Sequence, residues 1–133
     1  MSHFNCDVKL IVTGHSLGGA LACICAHDFI QNTMRQKANI QLVTFGCPRS
    51  GNRVFKTDIE TSIECLRVVN GNDIITYTPL VNAFHVGVLK HIGVGGLFSS
   101  VTDHSVEAYQ SSLSHRSQQA LDSQKQPEVS DSD

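Results

Sequence analysis

The stretch Gly14-His15-Ser16-Leu17-Gly18-Gly19 decides how this chain folds. It joins a mostly apolar, strand-like run at residues 8–13 to a helix-like apolar run at residues 20–26. A serine on so sharp a turn takes a strained backbone conformation, which exposes its hydroxyl. We expect Gly14 and Gly18 to be glycines because the two backbones approach closely there. The Leu17 amide, at the positive end of the helix, is expected to face a developing oxyanion.

A strand, a Gly-x-Ser-x-Gly turn and a helix together form the nucleophile elbow of α/β-hydrolases. The five-residue pattern alone also occurs in other loops, so a plain strand-to-helix turn is the alternative interpretation. Three features favour the elbow, with Gly14, His15 and Gly18 around Ser16. The preceding run is typical of a strand, the following run is typical of a helix, and the second glycine is doubled.

Composition indicates one small domain with a core and gives no signal for nucleic acid or a membrane span. The chain has 133 residues, of which 41% are hydrophobic and 17% charged. Its net charge is −2 and it has no basic block, which excludes the electrostatic footprint of a nucleic-acid-binding protein. No apolar run is long enough to span a bilayer, and residues 1–5 lack the features of a signal peptide.

The cysteines predict reduced, buried thiols and an intracellular setting. Their number is odd, and their spacing is not that of a zinc site. Cys23 and Cys25 lie in an apolar helical run, where a free cysteine acts as a small hydrophobe. The sequence alone leaves a disulfide open as the alternative. The five residues are Cys6, Cys23, Cys25, Cys47 and Cys65.

Hydrophobic periodicity predicts a mostly parallel sheet flanked by helices, an α/β fold. Strands and helices alternate along the chain, which implies right-handed crossovers. Phe55, Ile59 and Ile63 are spaced as the core stripe of the second helix, with Asn52 as its N-cap. The predicted elements are a strand at 8–14, a helix at 18–36, a strand at 40–46, a helix at 52–63 and a strand at 65–69.

The pattern weakens after residue 76. Residues 83–88 are predicted to form a fourth, edge strand, and residues 89–102 a loop. A last helix is predicted over 103–113, with Val106, Tyr109 and Leu113 on one face. Residues 114–133 are polar and are expected to be disordered. The predicted domain is therefore 1–113, followed by a disordered tail at 114–133.

A serine hydroxyl needs a histidine base that a carboxylate orients. On the α/β-hydrolase fold these residues follow in the order serine, acid, histidine. Asp73 lies just after the third predicted strand, and His104 lies near the last helix, so Ser16, Asp73 and His104 fit this order. A simple turn aspartate is the alternative for Asp73. Asp103 is a weaker triad acid and is also a candidate helix cap.

Several other histidines compete with His104 for the role of the base. His85 and His91 are the main competitors. We expect His85 to be a residue of the second layer lining the site. His15 neighbours Ser16 in the sequence but is expected to point away from it, as alternate elbow residues do.

Five blocks of the chain, in the right order, resemble the class 3 (fungal-type) lipases. The resemblance covers residues 8–113 and implies the hydrolysis of carboxylic esters, commonly of acylglycerols or phospholipids, with contact at a lipid surface. It implies Ser16 as nucleophile, Asp73 and His104 as its partners, and no metal or other cofactor. The blocks are residues 12–20, 44–52, 67–75, 84–87 and 103–109.

The chain departs from this family at its N-terminal end. The family domain has a large half before the serine strand, which supplies further strands, the lid and a second oxyanion donor. This chain starts almost at the serine strand, so the resemblance implies a partial α/β-hydrolase fold without those parts. An open sheet edge would result. The alternative is therefore an inactive fragment that serves as an interaction module, or one completed by a partner chain or by oligomerisation.

Overall fold

The computed structural model describes residues 9–32, 39–95 and 100–125. Strands and helices alternate through most of this part of the chain. Two short 3₁₀ helices, Ile74–Tyr77 and Thr102–His104, lie in the later connections. The main elements are β1 (Leu10–His15), α1 (Leu17–Asn32), β2 (Ile40–Phe45), α2 (Arg53–Ser62), β3 (Glu64–Asn70), β4 (Val88–Ile92) and α3 (Val106–Lys125).

The four strands form a single parallel sheet in the order β1-β2-β3-β4. Leu10 pairs with Ile40 in the ladder of β1 and β2, and Leu66 pairs with Val88 in that of β3 and β4. The predicted α/β architecture with a parallel sheet is confirmed. Parallel strands bring their carboxyl ends to one edge of the sheet, and the residues that follow β1, β2 and β3 meet there.

Helices α1 and α2 cover one face of the sheet and form its larger core with β2 and β3. Ile40 and Leu42 of β2 are buried against Cys23 and Ala26 of α1. The predicted stripe of α2 is also confirmed: Ile59 and Ile63 are buried, and Phe55 packs against the same core. The helix starts as predicted, because the Phe55 amide donates to the Asn52 side chain over 2.9 Å.

Helix α3 covers the other face with a smaller core. Tyr109 is buried there with Val68 and Ile92. Three partly buried side chains of the sheet, Val43, Phe45 and Leu66, pack around them. The central strands β2 and β3 are therefore covered on both faces.

The prediction of a fourth strand at 83–88 was wrong. The strand is β4, in the segment predicted as a loop, and its first four side chains are exposed. An exposed edge strand carries no apolar alternation, so only its backbone pairing with β3 identifies it. The apolar residues before it serve packing instead: Val86 is buried, and Phe84 forms an isolated bridge with Gly51.

The last helix differs at both ends from the prediction. It begins at Val106, after the 3₁₀ turn Thr102–His104, and continues through Lys125. Residues 114–125, predicted as disordered, are therefore helical, while residues 126–133 lie outside the described part. No glycine or proline interrupts residues 105–126, and Gln118 donates to Asp122 one turn later over 3.0 Å. Helix propensity, rather than an apolar face, explains this extension.

The thiols were predicted correctly at three positions of the four described. Cys23, Cys47 and Cys65 are free and buried, whereas Cys25 is free but exposed on α1. Cys6 and the predicted helical residues 33–36 lie outside the described residues. No helix in the described part of the chain combines the length and the apolar character that crossing a bilayer requires.

Candidate active site

Ser16 lies on the turn between β1 and α1 in a strained conformation. Its φ is +56°, which is rare for a residue other than glycine. Two hydrogen bonds hold this conformation. The Ser16 amide donates to the Phe45 carbonyl over 3.0 Å, and the Gly19 amide donates to the Ser16 carbonyl over 2.9 Å. The surrounding backbone therefore fixes a conformation that a serine would not adopt alone.

The close approach of strand and helix was predicted to depend on Gly14 and Gly18. The structure shows that it depends on Gly14 and Gly19 instead. A Cβ atom at Gly14 would overlap the carbonyl group of Gly18. A Cβ atom at Gly19 would lie 2.9 Å from the Cβ of Cys47. At Gly18 a Cβ atom would meet nothing within 4 Å, because this position faces open space.

The structure brings Ser16, His104 and Asp73 into one chain of hydrogen bonds. The Nε2 atom of His104 lies 2.7 Å from the Ser16 hydroxyl. Its Nδ1 atom lies 2.8 Å and 2.9 Å from the two carboxylate oxygens of Asp73. Such a chain can pass the hydroxyl proton to an imidazole that the carboxylate keeps in one orientation.

Asp73 is the fully buried member of this group, with 0% of its surface exposed. Its carboxylate also accepts from the Ile75 amide over 3.0 Å, which caps the 3₁₀ helix Ile74–Tyr77. Asp73 therefore fits both interpretations of the sequence: it stabilises the turn and it contacts His104. A buried carboxylate needs several donors, and Asp73 has them.

Gly46 makes room for the contact between Asp73 and His104. It follows β2 with φ +56°, in the left-handed region that favours glycine. A Cβ atom at this position would lie 2.7 Å from Asp73 Oδ2 and 3.1 Å from His104 Nδ1. The end of β2 can therefore lie directly against the contact between Asp73 and His104 only because Gly46 carries no side chain.

Tyr109 was predicted only as a core residue, but its hydroxyl belongs to the site. It donates to Asp73 Oδ2 over 2.7 Å and accepts from the backbone amide of Asn70 over 3.0 Å. Burial, above all, raises the pKa of Tyr109, so it stays a neutral donor. A buried tyrosine needs a partner for its hydroxyl. Because Tyr109 was predicted to be in the core, this rule could have indicated that its hydroxyl contacts another polar residue.

His15 contacts His104 and Tyr109 beside the site. Its Nε2 atom lies 2.8 Å from the backbone carbonyl of His104 and donates to it. Its ring packs against the ring of His104, with 4.7 Å between the centroids, and edge-on against Tyr109. His15 therefore supports the backbone and the ring of His104.

The competing residues lie elsewhere. Asp103 Oδ2 accepts from the Asn72 amide over 2.9 Å, so its carboxylate supports the turn before Asp73. It does not cap α3, because the Ser105 hydroxyl accepts from the Ala108 amide there. His91 is exposed on β4. His85, expected to line the site as a residue of its second layer, lines instead a separate cleft that Ser16, Asp73 and His104 do not line.

The Leu17 amide lies at the start of α1, directly after Ser16. It is the first amide of α1, where backbone N–H groups have no acceptor within the helix. Its side chain is 69% exposed, so the helix end beside Ser16 faces solvent. An amide at this end is available to an anion that forms at the serine.

The family model for lipase (class 3) matches residues 1–83. The chain belongs to the class 3 lipase family. One relative is phospholipase A(1) DAD1 of Arabidopsis thaliana, which is 40% identical over 73 residues. The match covers 54% of this chain and 16% of that protein. A lipase of Rhizopus oryzae is 42% identical over 73 residues, 53% of this chain and 19% of that protein.

Solved structures of lipases share the fold of this family member. Lipase II from Rhizopus niveus matches with a TM-score of 0.64 at 30% identity, over 72% of this chain and 45% of that one. A triacylglycerol lipase whose catalytic centre is described as a serine protease triad matches with a TM-score of 0.62 at 30% identity, over 73% and 46%. The present chain spans about a fifth of the length of the two curated relatives.

Proposed function

We propose that this chain carries the catalytic residues of a serine carboxylester hydrolase acting on acylglycerols or related lipid esters. Ser16 Oγ attacks the ester carbonyl while His104 Nε2 takes its proton. His104 then donates the proton to the departing alcohol, which leaves an acyl group on Ser16. Water, activated by His104, attacks this acyl-enzyme and releases the acid, and Asp73 keeps the imidazole in the required tautomer throughout.

The observation that carries this proposal is the continuous hydrogen-bonded chain at the strained elbow. Ser16, at φ +56°, lies 2.7 Å from His104, whose other ring nitrogen lies 2.8 Å from Asp73. These distances are those of a nucleophile, a base and an orienting acid. The triad described for the similar triacylglycerol lipase supports the same assignment.

The Leu17 amide is the oxyanion donor that we assign. It begins α1 beside Ser16, so the helix end adds its positive potential to the hydrogen bond. Losing one oxyanion donor costs on the order of 10²–10³ in rate. We therefore expect a weak esterase if no second donor joins Leu17, and a stronger one if another group supplies it.

Lipid esters are the proposed substrates because the relatives are lipases and phospholipases A1. The surface around the elbow is compatible with a lipid surface. Leu17, next to Ser16, and Leu21, one turn later on α1, are 69% and 57% exposed. No metal or organic cofactor takes part in the proposed mechanism, since the three side chains carry out the proton transfers themselves.

The test is an assay of the purified chain with p-nitrophenyl butyrate and with an emulsified acylglycerol, beside Ser16→Ala. Hydrolysis that disappears in Ser16→Ala is the expected result. Ser114→Ala, which removes an exposed hydroxyl on α3, is the matched control and should retain full activity. Folded wild-type protein with no more activity than Ser16→Ala would contradict the proposal for this chain.

A second candidate function is that of an interaction module without activity of its own. Within the described residues, β1 pairs on one side only, with β2. Ile11 on this edge strand and Ile24 on α1 are 55% and 53% exposed. Light scattering during gel filtration tests it: an inactive dimer or higher oligomer would favour this candidate, and an active monomer would exclude it.

A further inference from the structure

A cleft of about 520 Å³ lies beside α2, on the face of the sheet away from α3. We call it the basic cleft and define it by Arg49, Lys56, Arg67 and His85, which line it together with apolar and amide side chains of residues 80–84. None of its lining residues is acidic. Ser16, Asp73 and His104 do not line it, so the proposed hydrolase mechanism does not use it.

Arg67 is the least satisfied charge in this cleft. Its guanidinium is half-buried on β3, and its Nε atom has no hydrogen-bond partner among the described residues. Burial lowers the pKa of Arg67, and the nearby cation of Arg49 acts in the same direction. An Nε–H group that loses water without gaining an acceptor carries a desolvation cost. An anion in the cleft would remove that cost.

The neighbouring groups do not balance this charge. Arg49 donates through Nη1 to the Pro79 carbonyl over 2.8 Å, which orients it but does not neutralise it. Lys56 pairs with Glu60 over 3.3 Å. That carboxylate also accepts from the Gly87 amide over 2.7 Å. Cys47, whose pKa of about 7 makes it partly charged, adds some negative charge near Arg67. One carboxylate and this partial charge stand against three cations, which leaves an excess of positive charge facing the cleft.

The same cations affect the pKa of His85. Burial first, and then the cations of Arg67, Arg49 and Lys56, lower the pKa of His85 to about 4. Its imidazole is therefore neutral near pH 7, and its Nδ1 atom is buried without a partner among the described residues. A neutral imidazole among cations adds a hydrogen-bonding group without adding another charge.

From this arrangement we propose that the basic cleft binds a phosphate group, either free or at the head of a lipid. Two arginines and a lysine converge on one cleft, and guanidinium forks match the oxygens of a phosphate. The charge excess matches a group that carries more than one negative charge. A cleft of this volume has room for the group and for part of what it is attached to.

The first experiment titrates the folded chain with inorganic phosphate in an amine-based buffer and follows calorimetric heat and the unfolding temperature. We expect saturable binding that weakens about tenfold or more in Arg67→Gln and in Arg49→Gln. Arg67→Gln removes an unpaired half-buried charge, so the variant should fold. Lys90→Gln is the matched control, because it removes an exposed cation from β4 outside the cleft.

Two results would overturn the proposal. One is the absence of saturable phosphate binding to folded wild-type protein. The other is an equal weakening in Lys90→Gln and Arg67→Gln, which would indicate diffuse attraction to the whole surface. Ser16→Ala should bind phosphate like the wild type, so the failure of the hydrolase proposal would leave this one standing.

A second arm distinguishes the sources of the phosphate. Vesicles of phosphatidylcholine with and without phosphatidic acid are sedimented with the protein. Binding that needs phosphatidic acid, is displaced by inorganic phosphate and is lost in Arg67→Gln identifies a lipid headgroup. Phosphate binding without such sedimentation identifies the free anion as the ligand.

Nuclear magnetic resonance of the histidine rings gives an independent readout. A bound phosphate offsets the cations of Arg49, Lys56 and Arg67 that keep His85 neutral, while Glu60 stays paired. The titration midpoint of His85 should therefore move to higher pH when phosphate is present. A midpoint that does not move at saturating phosphate would place the anion elsewhere and contradict the assigned site.

Discussion

The Tyr109 hydroxyl donates a hydrogen bond of 2.7 Å to Asp73 Oδ2. The same hydroxyl accepts from the backbone amide of Asn70 over 3.0 Å, so it links α3, the end of β3 and the buried carboxylate. Asp73 thereby has a donor that is neutral and rigidly held, in addition to His104. A carboxylate oriented in this way can in turn orient the imidazole.

Replacing Tyr109 by phenylalanine should lower both stability and turnover. Tyr109→Phe leaves the Asn70 amide buried without an acceptor, which should cost about 1–3 kcal/mol in the free energy of unfolding. As a positioning residue for Asp73, Tyr109 should affect kcat while KM changes little. Urea unfolding and esterase kinetics measure the two effects.

Tyr77→Phe is the matched control, because Tyr77 is 50% exposed and the substitution removes the same atom. It should leave stability and kcat close to those of the wild type. Equal losses in Tyr77→Phe and Tyr109→Phe would show that the hydroxyl of Tyr109 has no special role.

Asp73→Asn should abolish most of the proposed activity and keep the fold. The amide can still reach His104 Nδ1, but it cannot stabilise the imidazolium or the required tautomer, so kcat should fall by about 10³–10⁴-fold. Asp103→Asn is the control, since that carboxylate contacts the Asn72 amide and not the imidazole. A larger loss of kcat in Asp103→Asn than in Asp73→Asn would show that Asp103, and not Asp73, is the acid of the triad.

The two glycines of the elbow should respond differently to alanine. At Gly14 a Cβ atom would overlap the Gly18 carbonyl, and backbone cannot yield as a flexible side chain does. Gly14→Ala should therefore cost roughly 3 kcal/mol or more, measured by urea unfolding. Gly18→Ala meets no atom within 4 Å and should be neutral or stabilising, within about 1 kcal/mol. Equal effects at both positions would contradict the close packing of β1 on α1.

The elements that sequence patterns could predict are those in which local propensity and burial agree. β2 and α2 carry apolar residues at the spacing of their structure, and Asn52 marks a helix start by its own chemistry. β1 and β3 also contain short apolar runs, although β1 lies at the edge of the sheet with Ile11 exposed. At these elements the period of the sequence decides the structure.

The parts that escaped prediction depend on contacts between distant residues. β4 exists because its backbone pairs with β3, and four of its five side chains face solvent. Similarly, the contact between His15 and His104 joins residues 89 positions apart. Chain order and loop position together predicted Ser16, Asp73 and His104, whose side chains lie within hydrogen-bonding distance of one another. Neither signal carries information on the supporting contacts.

Thiol labelling should distinguish exposure from acidity. The hydrogen bond from Cys23, the largest cause, lowers the pKa of Cys47 to about 7, which by itself would make Cys47 the most reactive thiol. Cys47 is only 3% exposed, however, while Cys25 is exposed. Because reagent reaches a buried thiol only after local opening, Cys47 should react more slowly than Cys25 by on the order of 10²-fold or more.

Peptide mapping after a short pulse of N-ethylmaleimide measures these rates at each position. Cys65, buried and with a pKa raised by burial to about 11, serves as the internal control for a protected thiol. It should be labelled only in urea. Labelling of Cys47 before Cys25 in folded protein would mean that the loop after β2 opens easily.

His85 should make the fold less stable in mild acid. Burial and the nearby cations lower its pKa from 6.5 to about 4 in the folded chain, so between these values the unfolded chain binds more protons. The free energy of unfolding should therefore fall as the pH falls from 6.5 towards 4. His85→Gln removes this dependence, and the difference between pH 7 and pH 4.5 should shrink by on the order of 1 kcal/mol, since solvent screens a half-buried group. Urea unfolding in phosphate-free buffer measures this pH dependence, and His91→Gln, at an exposed histidine, is the control. An equal pH dependence in wild type and His85→Gln would mean that His85 is protonated as readily in the folded chain as in the unfolded one.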